Sequence, residues 1–287
     1  MTVALVTGTS TGIGQSTALR LARDGHHVVA TMRNPAAGAP LIEAREAEGF
    51  ALEIMALDVT DAGACADVIG ATQADVGPID ILVNNAGIGG MTAVEDTTDA
   101  DWSEMFDTNV IAPMRLTRLV LPSMRERRAG NVVNVTSVAG RVAFAPQGPY
   151  AASKFALEAA SEVLAQEVSA HGIRVAIIEP GVILTPIFFK GDPEPPTGTH
   201  YTETYERLTR MFTSGLESPT MPEVVADAIS DAISTDHPVL RYPVGDDAHQ
   251  LLAGRTAMTD EEYVALGRAM SADEFAAAIR DAFGIQI

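Results

Sequence analysis

The chain has 287 residues, 47% of them hydrophobic, enough to bury a substantial core in one large domain. A formal net charge of −19 argues against nucleic acid and anionic membranes as partners. The single cysteine, Cys65, excludes an internal disulfide and a cysteine-rich zinc site, and no metal is expected.

The first apolar run, Val3–Thr7, has no basic segment before it and stops at Gly8. It is expected to be a strand rather than a targeting signal, and no stretch is long enough to span a membrane, so a soluble, cytoplasmic protein is the expectation. Next comes Gly8-Thr9-Ser10-Thr11-Gly12-Ile13-Gly14, then a helical pattern over Gln15–Asp24 with Gly25 as its stop. Strand, glycine loop and helix together suit a pyrophosphate: glycines allow close backbone approach, and the helix N-terminal amides face the anion. The spacing is G-x-x-x-G-x-G rather than G-x-G-x-x-G. A second strand, His27–Met32, ends in Arg33-Asn34-Pro35. Folds of this kind that prefer NAD carry an acid about twenty residues past the glycines to hold the ribose 2′-OH. Arg33 stands there instead and can pair with a 2′-phosphate, which favours NADP(H) and leaves NAD(H) open.

A helix is predicted over 35–49, a third strand over 50–57, and a helix from a cap at Thr60 or Asp61 to about Val76. Asp58, at the strand's C-terminal end, is either a ligand contact or a turn carboxylate. The fourth strand, Ile79–Val83, runs into Asn84-Asn85-Ala86-Gly87, which suits close approach of a ligand or a plain turn. One long helix is predicted from a cap at 97–101 to about Arg128, kinked by Pro113. Asn109 on it is a water or backbone anchor, or a satisfied core amide.

The buried strand Asn131–Thr136 leads to Ser137, and a helix over Pro149–His171 carries Tyr150-x-x-x-Lys154 on one face. A phenol has an ordinary pKa of about 10, and a nearby ammonium lowers it towards the range of a general acid–base group. The chain has two lysines, Lys154 and Lys190, so lysine is kept here where arginine otherwise prevails. The sixth strand, Arg174–Ile178, enters Glu179-Pro180-Gly181. From Val182 to Pro222, prolines interleave with Phe188, Phe189, Tyr201, Tyr205, Met211 and Phe212, which reads as a lid and apolar substrate wall. A helix over Glu223–Ser234 and a strand over Val239–Val244 complete a catalytic domain of residues 1–247. An extension, 248–287, holds further helices such as Asp260–Met270 and Ala272–Phe283.

Strands alternating with helices predict an α/β, doubly wound parallel sheet. In that order, over about residues 2–244, the chain resembles the short-chain dehydrogenase/reductase family. Thr7-Gly8-x-x-x-Gly12-Ile13-Gly14 is similar to its cofactor loop, Asn84-Asn85-Ala86-Gly87 to its NNAG motif, and Pro180-Gly181-x-x-x-Thr185 to its nicotinamide-side motif. Asn109, Ser137, Tyr150 and Lys154 match its catalytic tetrad in order and spacing.

The resemblance implies a Rossmann-like fold and an oxidoreductase interconverting a secondary alcohol and a ketone, or reducing an aldehyde. It implies that Tyr150 exchanges the proton, Lys154 lowers its pKa and holds the nicotinamide ribose, Ser137 orients the substrate oxygen, and Asn109 steadies a relay water. The implied cofactor contacts are Gly8, Ser10, Thr11, Gly12, Ile13 and Gly14 in the glycine loop, Asp58 and Val59 at the adenine, and Asn85, Ala86 and Gly87 beside them. Pro180, Gly181, Val182 and Thr185 would meet the nicotinamide. Thr11 stands where many NADP-using relatives have a basic residue, so Arg33 would meet the phosphate largely alone. A likeness to members acting on steroid- or retinoid-like molecules implies a mainly apolar small-molecule substrate. Family habit implies a homodimer or homotetramer through the helices around 103–128 and 149–171. An NAD-linked catabolic alcohol dehydrogenase and a catalytically silent dinucleotide sensor are the competing readings.

Overall fold

A computed structural model describes residues 1–189 and 195–287, without the side chains of Phe188 and Phe189. Those two rings, Lys190 and Pro193 therefore lie outside the described residues. Seven strands, β1 Val3–Thr7, β2 His27–Met32, β3 Leu52–Ala56, β4 Ile79–Asn84, β5 Gly130–Val135, β6 Ile173–Pro180 and β7 Arg241–Val244, form one sheet. Their order is β3-β2-β1-β4-β5-β6-β7, and every neighbouring pair is parallel. The winding reverses between β1 and β4, and a crevice opens there at the strands' C-terminal ends.

Parallel strands covered on both faces read as continuous apolar runs, and β1 is buried throughout. One face packs against α1 Gly12–Arg23, α2 Ala39–Glu48 and, later in the chain, α8 Pro222–Ser234, through Leu21, Leu41 and Ile229. On the other lie α3 Ala62–Asp75, α5 Ala112–Arg127 and α6 Gly148–Ser169, through Ile69, Leu116 and Leu164. The edge strand β3 is shorter than its sequence pattern, with Glu53 and Ala56 exposed. A 3₁₀ turn over Pro35–Gly38, capped by Asn34, precedes α2, and the Asp61 carboxylate caps α3 by accepting from Ala64 N–H at 3.0 Å.

The single kinked helix expected up to Arg128 is instead two helices. α4, Asp99–Phe106, begins with a capping box between Thr98 and Asp101, and a π turn over Asp107–Ile111 separates it from α5. The extra residue of the turn resets the register, so Pro113 falls in the first turn of α5, where its missing N–H costs nothing.

Beyond β6, α7 Thr202–Glu217 buries Tyr205 and Leu208. The C-terminal segment forms α9 Asp246–Ala257, α10 Asp260–Ala265 and α11 Ala272–Phe283. The boundary expected at 247/248 falls inside α9, a helix that the sequence pattern had not marked. Leu251, Phe275, Ile279 and Phe283 pack with Val138 and Val142, so the extension lies on the loop after β5. There the Phe144 ring meets those of Phe283 and Tyr263 edge-on at 5.5 and 6.0 Å. Met211 joins this cluster, not a substrate wall, because its face of α7 turns towards the extension. Among the described residues no helix is long and apolar enough to cross a membrane.

Candidate active site

A cleft of about 770 Å³ lies over the crevice between β1 and β4. Its floor is backbone. A Cβ on Gly14 would fall 2.3 Å from the Gly8 carbonyl oxygen, and one on Gly8 2.8 Å from Ala86 Cα. One on Gly12, whose φ is +61°, would meet the Thr185 methyl at 3.0 Å. Glycines at these places leave a shallow cradle at the N-terminus of α1, whose N-cap residue Thr11 makes no side-chain capping bond. Such a cradle of amides fits a pyrophosphate.

Thr7, buried at the end of β1, ties the cradle to the loop after β4. Its hydroxyl accepts from the N–H groups of Asn85 and Ala86, both at 3.0 Å, and Asn85 Nδ2 donates to the Thr7 and Gly8 carbonyls at 2.8 and 3.2 Å. Ser10, Thr11, Ile13, Asn85, Ala86 and Gly87 all line the cleft. Arg33 is exposed at its rim, beside Asp58 and Val59. Asp58 fills the turn role, accepting from Thr60 N–H at 3.0 Å and Thr60 Oγ1 at 2.7 Å, and it also lines the cleft. The Thr60 donors, and then the Arg33 charge, hold its carboxyl below the usual range. An arginine at the rim and a glycine cradle are the donor set that a phosphorylated dinucleotide would need, so the residues fit that cofactor.

At the opposite end, β5 delivers Ser137 and the first turns of α6 deliver Tyr150 and Lys154. Ser137 Oγ accepts from Ala139 N–H at 3.1 Å and donates to the Pro180 carbonyl at 3.5 Å, and it lines the same cleft as the Tyr150 phenol. Lys154 is buried, donates to the Val135 carbonyl at 3.2 Å, and lies 5.8 Å from the Tyr150 ring centroid. Burial pushes the phenol above its ordinary value, and the Ser137 hydroxyl draws it back. Burial also lowers the Lys154 ammonium to about 8, against the raising influence of Glu158. The lowering of Tyr150 expected from Lys154 is thus not present in this geometry: the ammonium faces a carbonyl and a carboxylate, and desolvation governs the phenol.

Behind Lys154 sits a buried charge cluster with no signature in the sequence. Glu158 accepts from Thr136 Oγ1 at 2.6 Å and Arg241 Nε at 3.0 Å. Glu179, fully buried, pairs with Arg141 at 3.2 Å and Arg241 at 3.3 Å. Desolvation raises both carboxyls, and the arginines oppose it.

Val182, expected to meet the nicotinamide, and Asn109, expected to steady a relay water, are not among the residues that line the cleft. Asn109 sits in the π turn, where Oδ1 accepts from Ile88 N–H and Nδ2 donates to Ile88 O, both at 2.9 Å, and to Ser153 Oγ at 3.0 Å. Its amide is paired and clamps the loop after β4 to α6. Pro180, Gly181 and Thr185 line the cleft, but the Val182 N–H is taken by Asp247 at 2.6 Å and its side chain faces Gly215 of α7. Ile88 and Ile187 form the apolar lining near Tyr150, where neither Met211 nor Phe212 reaches.

A family model described as short chain dehydrogenase matches residues 2–194. Human retinol dehydrogenase 8 is 35% identical over 254 residues, covering 83% of this chain and 79% of its own. A crystal structure of a short-chain dehydrogenase from Streptomyces avermitilis superposes with a TM-score of 0.81 at 38% identity, over 93% of this chain and 98% of that one. A metagenomic short-chain oxidoreductase, solved in complex with NADP, superposes with a TM-score of 0.69 at 26% identity, over 85% and 96%.

Proposed function

The chain belongs to the short-chain dehydrogenase family, oxidoreductases of alcohol and carbonyl groups, and on that premise we propose that it is an NADP(H)-preferring enzyme for a mainly apolar alcohol or carbonyl compound. The observation that carries the reading is the convergence of Ser137, Tyr150 and Lys154 on the same cleft as the glycine cradle and Arg33. Arg33 at the rim and the NADP-bound neighbour support NADP(H). Ile88 and Ile187 near Tyr150, and a relative named for retinol, support an apolar secondary alcohol or ketone, or an aldehyde, as substrate. Exposed Phe155 and Val163 on α6 support a homodimer or homotetramer.

When bound, the nicotinamide supplies or takes the hydride. The protein handles the proton. A carbonyl oxygen lodged between the Ser137 and Tyr150 hydroxyls accepts a hydrogen bond from each, and Tyr150 delivers its proton as the alkoxide charge develops. Burial keeps the phenol protonated at neutral pH, the form that donates to a carbonyl oxygen. Lys154 places a positive charge beneath the developing phenolate once that proton has left. Asn109 keeps the Ile88 loop and α6 in register around the pair.

Tyr150→Phe keeps the ring and removes the proton. Its kcat should fall about 10²–10⁴-fold while NADPH affinity, read by nicotinamide fluorescence, stays at the wild-type value. Turnover within a few-fold of wild type would sink the mechanism.

A further inference from the structure

The turn that follows β6 supplies Pro180, Gly181 and Thr185 to the cleft, and three hydrogen bonds hold it from behind. Gly181 N–H donates to the Val244 carbonyl at 2.9 Å and Leu184 N–H to the Thr220 carbonyl at 3.0 Å, both between main chains. Between them, Val182 N–H donates to Asp247 Oδ2 at 2.6 Å. This bond comes from a side chain 65 residues away, on the first turn of α9, where the C-terminal extension begins. It is short, as bonds to a carboxylate are.

Space tells the same story. A Cβ on Gly181 would lie 2.2 Å from Asp247 Oδ1 and 2.4 Å from its Cγ. Gly181 is not among the glycines with positive φ, so its backbone is one that other residues adopt. Glycine at 181 therefore provides room for a carboxylate rather than conformational freedom. Desolvation pushes the Asp247 carboxyl up, while the amides of Val182, Ala248 and Asp247 itself pull it down, a donor set that makes room for charge in a half-buried place.

We propose that Asp247 is a positioning residue for the nicotinamide end of the cleft: its carboxylate fixes the Gly181–Val182 turn, and Gly181 is small because that carboxylate fills the space of a side chain. The inference rests on the cleft being a nicotinamide dinucleotide site. The C-terminal extension then serves cofactor binding without touching the cofactor, through one bond to the main chain that does.

The test is an NADPH titration by nicotinamide fluorescence on the full-length wild type, Asp247→Ala, Asp247→Asn and Gly181→Ala, with a thermal melt of each. Losing a hydrogen bond to a charged group should weaken NADPH about 10–100-fold in Asp247→Ala. Asp247→Asn, whose amide oxygen still accepts from Val182, should stay within about threefold of wild type. Gly181→Ala, which displaces the carboxylate, should lose as much as Asp247→Ala. A purely structural role would lower the melting temperature of Asp247→Ala and leave its NADPH affinity alone. Wild-type affinity in Asp247→Ala, or an equal loss in Asp247→Asn, would overturn the inference. Should Asp247→Ala not fold, wild-type affinity in Gly181→Ala overturns it and a 10–100-fold loss upholds it. Failure of the wild type itself to bind NADPH or NADH would overturn the cofactor reading, and this inference with it.

Discussion

At the glycine end of the cleft the walls are backbone brought close by missing side chains, whereas the segment carrying α7 is held to the loop after β4 by side chains that reach across the chain. A Cβ on Gly8 would meet Ala86, one on Gly12 the Thr185 methyl and one on Gly14 the Gly8 carbonyl, all at 3.0 Å or less. In that second region, Tyr201 donates to Glu95 at 2.5 Å, Thr199 to Asp96 at 2.7 Å and Tyr205 to Asp96 at 3.2 Å, while Ala93 N–H donates to Tyr205 Oη at 2.9 Å. These bonds latch the segment carrying α7 to the loop after β4 across more than 100 residues of sequence. The difference teaches that one end is rigid by construction. The other is held by a few side-chain hydrogen bonds, each of which a single substitution removes.

Breaking the first kind of wall should cost most. Gly14→Ala sets a methyl against the Gly8 carbonyl and Asn85 Nδ2, at 2.3 and 2.4 Å, and the backbone has to move. A stability loss of about 1–3 kcal/mol is expected, with NADPH affinity falling at least about tenfold. A thermal melt and a fluorescence titration check both, and wild-type values in the two would show that the cradle is not so tightly drawn. Arg33→Ala should act next, and on one cofactor only. Removing a charge-assisted contact should weaken NADPH about 10–100-fold and leave NADH within about twofold. Equal losses for both cofactors would deny Arg33 a role at the 2′-phosphate. Tyr205→Phe tests the second kind of wall and should do least. It removes the acceptor of Ala93 N–H and one donor to Asp96, about 1 kcal/mol of net bonding, so the substrate KM should rise a few-fold while NADPH binding is unmoved. A change in NADPH affinity as large as in Arg33→Ala would erase the distinction between the two ends.

The same division decides how much can be read from the sequence. Glycine spacing, a basic residue in place of an acid at Arg33, and a phenol one helical turn from a lysine are local patterns, and the elements around them have local signals too. The cleft lining accordingly contains the glycine loop, Arg33, Asp58, the residues of the Asn85 loop and the Ser137–Tyr150–Lys154 group. Three features escape because tertiary packing makes them. The π turn at Asp107–Ile111 depends on Asn109 finding both main-chain groups of Ile88, which no helical period announces. Asp247 carries no signal in the sequence, where α9 is not marked, and gains its role only once Gly181 is brought beside it. Glu158 and Glu179 lie apart in sequence, on a helix and at a strand end, and the approach of Arg241, with Arg141 at Glu179, compensates their burial. Composition also suggests an apolar wall that includes Met211, which packs in the C-terminal cluster instead.

The most direct test of the whole account is titration of the wild-type protein with NADPH and with NADH, followed by nicotinamide fluorescence at fixed salt, because it needs no substrate. The account predicts saturable binding of both, with NADPH tighter by about tenfold or more, the difference of one charged phosphate contact. Tighter NADH would contradict the assignment of Arg33 and favour an NAD-linked dehydrogenase, and binding of neither would contradict the reading of the cleft itself.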